Sequence, residues 1–250
     1  REDKVKFYTG LYHALLGRGL ASDVNGAYPR KPKVIYDRAN SSFYSLKIDE
    51  IPEKAYTASR CFHTSGITLA LSPKVRETAI EMIKRFKAAG TLVSFDVNFR
   101  GNLWTGEEAK ECIEQILPYV DIFFCSEDTA RLTFKKTGTA REMMKSFTEE
   151  YPISIVASTQ RIVHSPKSHT FGSIIYDARK DIYYEEEPYR DIDVVDRIGS
   201  GDAYISGALY GLLTSDFDCE KAVRYGNATS AVKNTIPGDL PSSDLEEIET

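Results

Sequence analysis

The sequence has 250 residues, of which 42% are hydrophobic and 28% charged, and this composition is typical of a folded α/β domain rather than a disordered or fibrous chain. Thirty-two basic and 37 acidic residues give a net charge of −5, and no window concentrates lysine and arginine as a nucleic-acid-binding surface does. No apolar stretch approaches the roughly 18 to 20 residues that cross a bilayer. The composition therefore predicts neither a nucleic-acid partner nor a membrane partner.

Cysteine and histidine usage indicates neither disulfides nor a zinc site. No CxxC pair occurs, and two of the four cysteines, Cys61 and Cys125, lie in apolar, strand-like runs. Buried, reduced thiols are typical of such a pattern, which predicts a cytoplasmic location. The four histidines show neither HxxxH nor HExxH spacing, so we expect no metal ion bound by protein ligands.

Strand-like runs alternate with helical patterns from residue 60 onward, which predicts crossover units on a parallel sheet. The predicted strands are residues 60–65, 92–95, 121–125 and 153–157. Between the first two, Ser72 and Pro73 begin a helix that ends at Gly90. Its apolar face consists of Val75, Ala79, Met82, Ile83 and Phe86. Further helices begin at the capping boxes of Thr105 with Glu108, ending at Pro118, and of Thr139 with Glu142, ending near Phe147.

The two ends of the sequence follow a different pattern. Residues 172–176 and 181–185 predict an antiparallel hairpin, and residues 193–196 a strand. Helices are predicted over residues 203–213 and 220–233, before a turn at residues 237–239. At the other end, residues 1–20 predict a helix without a preceding strand and residues 33–36 predict a strand, so we expect the chain to begin inside the domain.

The segment with the clearest chemistry is Asp196-Arg197-Ile198-Gly199-Ser200-Gly201-Asp202, which predicts a strand end, a glycine-flanked turn and a helix that begins at Asp202. We expect the amides from Gly199 to Asp202 to point toward one place at the positive end of the helix dipole, forming an anion hole. Asp202 could accept a proton from an attacking hydroxyl. The alternative is an ordinary helix cap made by Ser200 or Asp202. Neither a P-loop nor a GxGxxG dinucleotide motif is present.

Other polar side chains follow the predicted strands. They are Asp96, Asn98, Arg100, Ser126, Glu127, Thr159 and Arg161. Ligands of open parallel sheets bind beyond the carboxyl ends of the strands, so these side chains could line one crevice. Any one of them taken alone is more often part of a solvated loop.

The segment 196–202 resembles the second motif of the ribokinase-like (PfkB) carbohydrate kinases, which reads D-x-x-G-[AS]-G-D before a helix of small residues. Residues 34–41, 96–100 with Leu103-Trp104, and 235–239 are similar to the subgroup that phosphorylates 2-keto-3-deoxygluconate. The resemblance covers roughly residues 33–249. It implies one α/β domain over residues 1–250, a three-layer α/β/α sandwich with a mostly parallel central sheet and a small β lid, to which residues 26–45 contribute.

The resemblance also implies roles for individual residues. Asp202 would be the catalytic base, and the amides of Gly199, Ser200 and Gly201 would hold the charge that develops on the γ-phosphoryl group of ATP. Tyr36, Arg38 and Asp239 would bind the sugar acid, and Arg100 would lie between its carboxylate and the nucleotide phosphates. The residues implied on the ATP side are Asn98, Ser126, Thr159, Arg161 and Asn227. Mg²⁺ would arrive with ATP, held largely by phosphates and water.

The sequence departs from the family pattern in three places. The first strand, the glycine-rich substrate loop and much of the lid should precede Lys33, where 32 residues stand. Ser126-Glu127-Asp128-Thr129 replaces an Asn-Glu-x-Glu run, and residues 157–161 replace a glycine-rich nucleotide turn.

We therefore expect ATP-dependent phosphorylation of 2-keto-3-deoxygluconate to its 6-phosphate. The protein is expected to form a homo-oligomer through its lid. Two alternatives remain open: a kinase for a neutral sugar such as fructose or ribose, and a catalytically silent sensor of sugar acids on the same fold.

Overall fold

The computed structural model of the chain describes residues 42–249. The chain forms two compact units, with the boundary between Tyr119 and Val120. The predicted helix at residues 1–20, the strand at 33–36 and most of the lid range 26–45 lie outside the described residues; from that range the structure shows only a 3-10 helix over Ser42–Ser45. The single domain and the lid stay predictions.

The first unit contains a parallel strand pair and its helices. In chain order they are a 3-10 helix Ile48–Glu50, α1 Glu53–Ala58, β1 Cys61–Ser65, α2 Gly66–Ala70, α3 Pro73–Ala88, β2 Leu92–Asp96, α4 Gly106–Glu114 and a 3-10 helix Leu117–Tyr119. The register of β1 on β2 runs from Cys61 opposite Leu92 to Ser65 opposite Asp96. The strands predicted at residues 60–65 and 92–95 and the helices predicted to begin at Ser72 and Thr105 are confirmed in kind.

Helix α3 forms where its local signals place it. The Ser72 hydroxyl accepts a hydrogen bond from the Val75 amide at 3.2 Å, and the five predicted core residues of the helix are all buried. Gly90 follows the helix with a φ of 79°, as a left-handed C-terminal residue does. Phe86 stacks on Phe62 of β1 with ring centroids 4.2 Å apart, which fixes the helix on the sheet.

Helix α4 is shorter than expected. The capping box of Thr105 and Glu108 is present, but the helix ends at Glu114 rather than near Pro118. Ile116 and Leu117 remain fully buried in the turn and 3-10 helix that follow. The apolar pattern therefore marked the core correctly although the backbone there is no longer α-helical.

The second unit combines one parallel strand pair with an antiparallel extension. In chain order its elements are β3 Ile122–Phe124, α5 Glu127–Leu132, α6 Ala140–Glu150, β4 Ile155–Ser165, β5 Ser168–Asp177, β6 Ile182–Glu185, β7 Tyr189–Asp193, α7 Ser200–Thr214, α8 Cys219–Asn234 and α9 Leu245–Glu249. β3 pairs with β4 in parallel, and β5 pairs antiparallel with β4, β6 and β7. The predicted hairpin is confirmed as β5 and β6.

Three boundaries in this unit correct the sequence prediction. Strand β4 begins near the expected place but continues to Ser165 because β5 pairs along its whole length. The strand expected at residues 193–196 ends at Asp193, since the amides of Val195 and Asp196 donate to the Asn234 carbonyl at 2.8 and 3.2 Å instead of to a strand. Helix α7 begins at Ser200 rather than Asp202.

Helices α7 and α8 pack closely because glycines line their contact. An added Cβ on Gly207 would lie 2.5 Å from the Tyr225 carbonyl oxygen, and one on Gly211 would lie 2.6 Å from the Cα of Ala222. Buried residues of both helices and of the inner face of the sheet form one core. Its members include Phe124, Ile155, Ile175 and Tyr204. This packing holds α7 against α8 and the sheet.

Two observations bear on the predicted environment of the chain. All four cysteines are thiols; Cys112, Cys125 and Cys219 are buried as expected, whereas Cys61 is partly exposed. Among the helices within residues 42–249, none has the length and apolar character needed to cross a bilayer.

Candidate active site

The chain enters helix α7 through a tight turn. The Ser200 amide donates to the Arg197 carbonyl at 3.2 Å, and Gly199 has φ 77° and ψ 0°. This is the geometry of a type II turn, whose third position favours glycine. An added Cβ on Gly199 would also lie 2.2 Å from the Asp239 carbonyl oxygen. Gly199 is therefore required both by its backbone conformation and by its close contact with the segment of Asp239.

The anion hole is predicted at the first turn of α7. Ala203 donates to the Gly199 carbonyl at 2.8 Å, which makes Gly199 the cap and Asp202 the third residue of a 15-residue helix. The Gly201 amide lies where helix amides have no acceptor in their own helix. Gly201 is exposed, and a Cβ there would meet nothing within 4 Å. The Ser200 amide, in contrast, is already used by the turn, so Gly201 is the clearer of these donors.

The Asp196 carboxylate ties this turn to the segment that follows α8. One carboxylate oxygen accepts the Ile198 amide at 3.0 Å, and the other accepts the Gly238 amide at 3.1 Å. Gly238 has a φ of 86°, and Asp239 is exposed beside it. The first aspartate of the motif thus holds together the two loops that carry Gly199 and Asp239.

A cluster of basic side chains, Arg161, His169 and Arg197, belongs to the same unit. Burial and the charge of Arg197 lower the pKa of Arg161. Burial lowers the pKa of His169, with the charges of Arg161 and Arg197 acting in the same direction. His169 is 2% exposed, and its Nδ1 has no hydrogen-bond partner among the described residues. No described carboxylate forms an ion pair with either arginine. This basic cluster therefore favours the binding of an anion.

The predicted ATP-side residues of this unit fall in three different settings. Thr159 and Arg161 lie inside β4, opposite Ser173 and Phe171 of β5, and not in a loop after a strand. Asn227 is fully buried; its Oδ1 accepts from the Ser173 hydroxyl at 2.7 Å, and its Nδ2 has no partner among the described residues. Ser173, which binds Asn227, is the residue opposite Thr159 in the β4–β5 register.

Ser126, for which a solvated loop was the alternative, instead caps a helix. Its hydroxyl accepts from the Thr129 amide at 3.3 Å and lies 2.9 Å from the Thr129 hydroxyl. It begins α5, with Glu127 in the first turn.

The remaining predicted site residues come from the part of the chain before Val120. Asn98 follows β2 with a φ of 37°, and its amide donates to the Asp96 carboxylate at 3.1 Å. Arg100 is exposed, and its Nη1 donates to the Phe99 carbonyl at 3.0 Å. Both therefore lie at the carboxyl end of β2, as predicted. Tyr36 and Arg38 lie outside the described residues.

The α7 terminus and the basic cluster fit the phosphates of a nucleotide. An open glycine cradle, a helix N-terminus and two arginines without described carboxylate partners are the features that recognise phosphate oxygens. Residues 42–249 contain no group of three His, Cys, Asp or Glu side chains placed to hold a metal ion. Mg²⁺ commonly takes most of its ligands from phosphates and water.

Sequence reasoning missed three residues around this site. Arg197 lies inside the recognised motif, but the motif assigns it no role. The histidine spacing addresses His169 only as a possible metal ligand. No motif in the sequence identifies Lys233, which is fully buried in α8. The available signal was helical spacing, since Lys233 follows Gly226 and Ser230 on the face of α8 that packs toward α7.

Comparison with known proteins agrees with the fold and the motif. The chain is 33% identical over 224 residues to the 2-dehydro-3-deoxygalactonokinase of Haloferax volcanii, which covers 90% of this chain and 67% of that protein. It is 27% identical over 213 residues to the 2-dehydro-3-deoxygluconokinase of Bacillus subtilis, covering 84% and 61%. The chain thus spans between 61 and 67% of the length of these two relatives.

A solved structure confirms the predicted ribokinase-like α/β sandwich. The 2-dehydro-3-deoxygluconokinase of Thermotoga maritima superposes with a TM-score of 0.80 at 29% identity, covering 90% of this chain and 69% of that one. The model of the pfkB family carbohydrate kinases matches residues 26–244, which include the turn, the helix terminus and Asp239. The chain belongs to the pfkB family of carbohydrate kinases.

Proposed function

We propose that this protein transfers the γ-phosphoryl group of ATP to a primary hydroxyl of a 2-keto-3-deoxy sugar acid, with 2-keto-3-deoxygluconate as the first candidate and its 6-phosphate as the product. The observation that carries the proposal is the N-terminus of α7. There Gly201, beside which space is open, and Asp202 are consecutive residues. The activities named for the Haloferax and Bacillus relatives support the choice of a sugar acid.

In this proposal Asp202 accepts the proton of the attacking hydroxyl. The hydroxyl oxygen forms a bond to the γ-phosphorus, the bond from phosphorus to the β,γ-bridging oxygen breaks, and ADP leaves with that electron pair. Aspartate is a weak base at neutral pH, but a loose phosphoryl-transfer transition state requires only late and limited deprotonation. Positioning and stabilisation of the developing charge by the Gly201 amide and the helix terminus supply most of the rate.

The nucleotide side is assigned to the second unit. Arg161 and Thr159 of β4 would contact ATP, with Arg197 and His169 adding positive charge, while buried Asn227 supports β5 through Ser173. Magnesium would neutralise charge on the phosphates as they separate. Ser126, as a helix cap, and Asn98 would act by shaping their loops.

Selection of an acid over a neutral sugar is assigned to arginine. Arg38 and Arg100 would each offer paired N–H donors that match a carboxylate, worth roughly 1.5–3 kcal/mol per charge-assisted bond. Tyr36 and Asp239 would complete the acceptor site. The alternative for Arg38, without a role in substrate binding, is a surface ion pair with Asp37, worth about 0–1 kcal/mol.

The galactonate epimer is a second candidate substrate, because the relative with 33% identity is named for it. The two sugar acids differ in the configuration of one carbon, and the discriminating contacts would come from the acceptor side. We further propose that the protein acts in the cytoplasm and associates with itself through its lid.

A panel of acceptors tests the proposed function. Purified protein with ATP and Mg²⁺ is assayed for ADP release with 2-keto-3-deoxygluconate, 2-keto-3-deoxygalactonate, fructose and ribose. We expect kcat/KM for at least one acid to exceed that of both neutral sugars by more than tenfold. Equal efficiency on fructose would favour a neutral sugar kinase, and binding of an acid without ADP release would favour a silent sensor.

A further inference from the structure

Helix α8 buries a lysine immediately behind the candidate active site. Lys233 has no exposed surface, and its Nζ donates to the carbonyl oxygens of Asp196 at 3.2 Å and Ile236 at 2.9 Å. Burial lowers the pKa of its ammonium group, while the carboxylates of Asp196 and Asp239 act in the opposite direction. A lysine is rarely buried to this extent unless its charge and its donors are used.

The two carbonyls bound by Lys233 belong to the two loops that meet at the helix terminus. The Asp196 carboxylate joins the same loops from its other side, through the amides of Ile198 and Gly238. The Lys233 ammonium and the Asp196 carboxylate therefore clamp one pair of loops with four hydrogen bonds.

The rest of α8 extends this clamp to the first turn of α7. The Ser230 hydroxyl donates to the Ser200 carbonyl at 3.1 Å, and the Asn234 carbonyl accepts the amides of Val195 and Asp196. Ser230 is closed to solvent and Asn234 is 4% exposed. The C-terminal part of α8 thus fixes residues 195–200 by side chains and backbone that solvent does not reach.

We propose that Lys233 is a positioning residue for phosphoryl transfer, whose buried ammonium group holds residues 196–202 in the geometry that aligns the Gly201 amide with Asp202. The proposal rests on the proposed function, since it assigns these two groups to the reaction. Because Lys233 has no exposed surface, the role assigned to it requires no contact with substrate or nucleotide. Lys233 acts on the backbone carbonyl at one end of the motif.

An uncharged side chain of similar length cannot replace this ammonium group. Methionine in Lys233→Met would fill the same space, but it has no N–H donor. The carbonyls of Asp196 and Ile236 would therefore lose the hydrogen bonds that Lys233 donates. The loops would then be free to separate. A displacement of about 1 Å at the reacting groups typically costs on the order of 100-fold in turnover.

The test compares Lys233→Met and Lys233→Ala with Lys221→Met, which removes a partly exposed lysine of the same helix. Turnover is measured together with amide hydrogen exchange of residues 196–202, which needs no substrate. For Lys233→Met we expect kcat to fall roughly 100-fold, KM for ATP to change less than about threefold, and exchange in this segment to accelerate at least tenfold. Lys221→Met should match the wild type.

Chemical rescue separates the ammonium group from general packing. Propylammonium, which restores the atoms removed in Lys233→Ala, should recover at least a tenth of wild-type kcat and most of the exchange protection in a saturable manner. Tetramethylammonium, a cation without N–H donors, should recover neither.

Three results would overturn the proposal. They are a folded Lys233→Met variant with kcat within threefold of wild type, unchanged exchange of residues 196–202, and a Lys233→Ala variant that propylammonium neither folds nor reactivates. If the wild type releases no ADP with any sugar acid, the proposed function fails, and the exchange comparison still decides whether Lys233 holds the segment.

Discussion

Substituting Gly199 of the tight turn and Gly201 of the first turn of α7 separately distinguishes a structural requirement from a ligand requirement. In Gly199→Ala, alanine must adopt φ 77°, which costs roughly 1–2 kcal/mol relative to a right-handed conformation. Its Cβ would also lie 2.2 Å from the backbone oxygen of Asp239, so the loops must separate by about 1 Å to reach normal contact. We therefore expect the free energy of unfolding to fall by about 2–4 kcal/mol and kcat to fall about 100-fold.

Gly201→Ala is the matched control two residues away. Its Cβ would meet no protein atom within 4 Å, and its backbone needs no positive φ. Within a helix this substitution should leave stability unchanged or raise it by about 0.4–1 kcal/mol. The new methyl group would, however, occupy the space assigned to a phosphate, so KM for ATP should rise at least about tenfold, worth 1.4 kcal/mol of lost binding.

Urea unfolding and steady-state kinetics on both variants provide the measurements. The combination expected is a destabilised, slow Gly199→Ala and a stable Gly201→Ala with weak ATP binding. A Gly199→Ala variant as stable as wild type would refute the reasoning from the turn and the close contact. Normal KM for ATP in Gly201→Ala would refute the phosphate position.

Three further predictions concern the base, the acid site and the response to acid. Asp202→Asn should keep the fold and nucleotide binding, measured by calorimetry, while kcat falls roughly 10²–10⁴-fold; more than a tenth of wild-type turnover would make Asp202 only a helix residue. Arg38→Ala should lower kcat/KM for the sugar acid about 10- to 150-fold and leave KM for ATP unchanged, whereas Arg100→Ala should weaken both; an Arg38→Ala variant equal to wild type would end the assignment. Burial lowers the pKa of His63 from 6.5 to about 4. Between these two pH values the imidazole takes up a proton in the unfolded chain but not in the folded protein. The folded protein therefore loses stability as the pH falls below 6.5. Urea unfolding should show a loss of up to about 2 kcal/mol at pH 5, and His63→Gln should flatten this dependence if the ring is its source.

The sequence predicted best those elements whose signals are local. Helix α3 needed only the cap at Ser72, the spacing of its apolar residues and Gly90, all of which act within one or two turns. The predicted end of β7 was wrong because a distant partner decides it. The carbonyl of Asn234, nearly 40 residues away, accepts the amides of Val195 and Asp196 and so ends the strand.

The candidate site was predictable where a motif carries the chemistry, and not where packing does. The segment 196–202 identified Asp202 and the glycines, and the structure confirms the turn and helix terminus there. The loop placement of Arg161 was wrong because β5 extends β4 past it. Lys233 could not be assigned from composition or motif, since its role depends on carbonyls that only the folded chain brings to it.

Phosphorus NMR of the complete reaction tests the central claim most directly, because it follows the transferred group itself. With wild-type protein, ATP, Mg²⁺ and 2-keto-3-deoxygluconate, we predict a new phosphomonoester signal that grows in equal amount with ADP and is absent when Asp202→Asn replaces the wild type over the same time. Formation of inorganic phosphate in place of a sugar phosphate, or an unchanged signal with Asp202→Asn, would contradict the assignment of α7 and Asp202 as the centre of phosphoryl transfer.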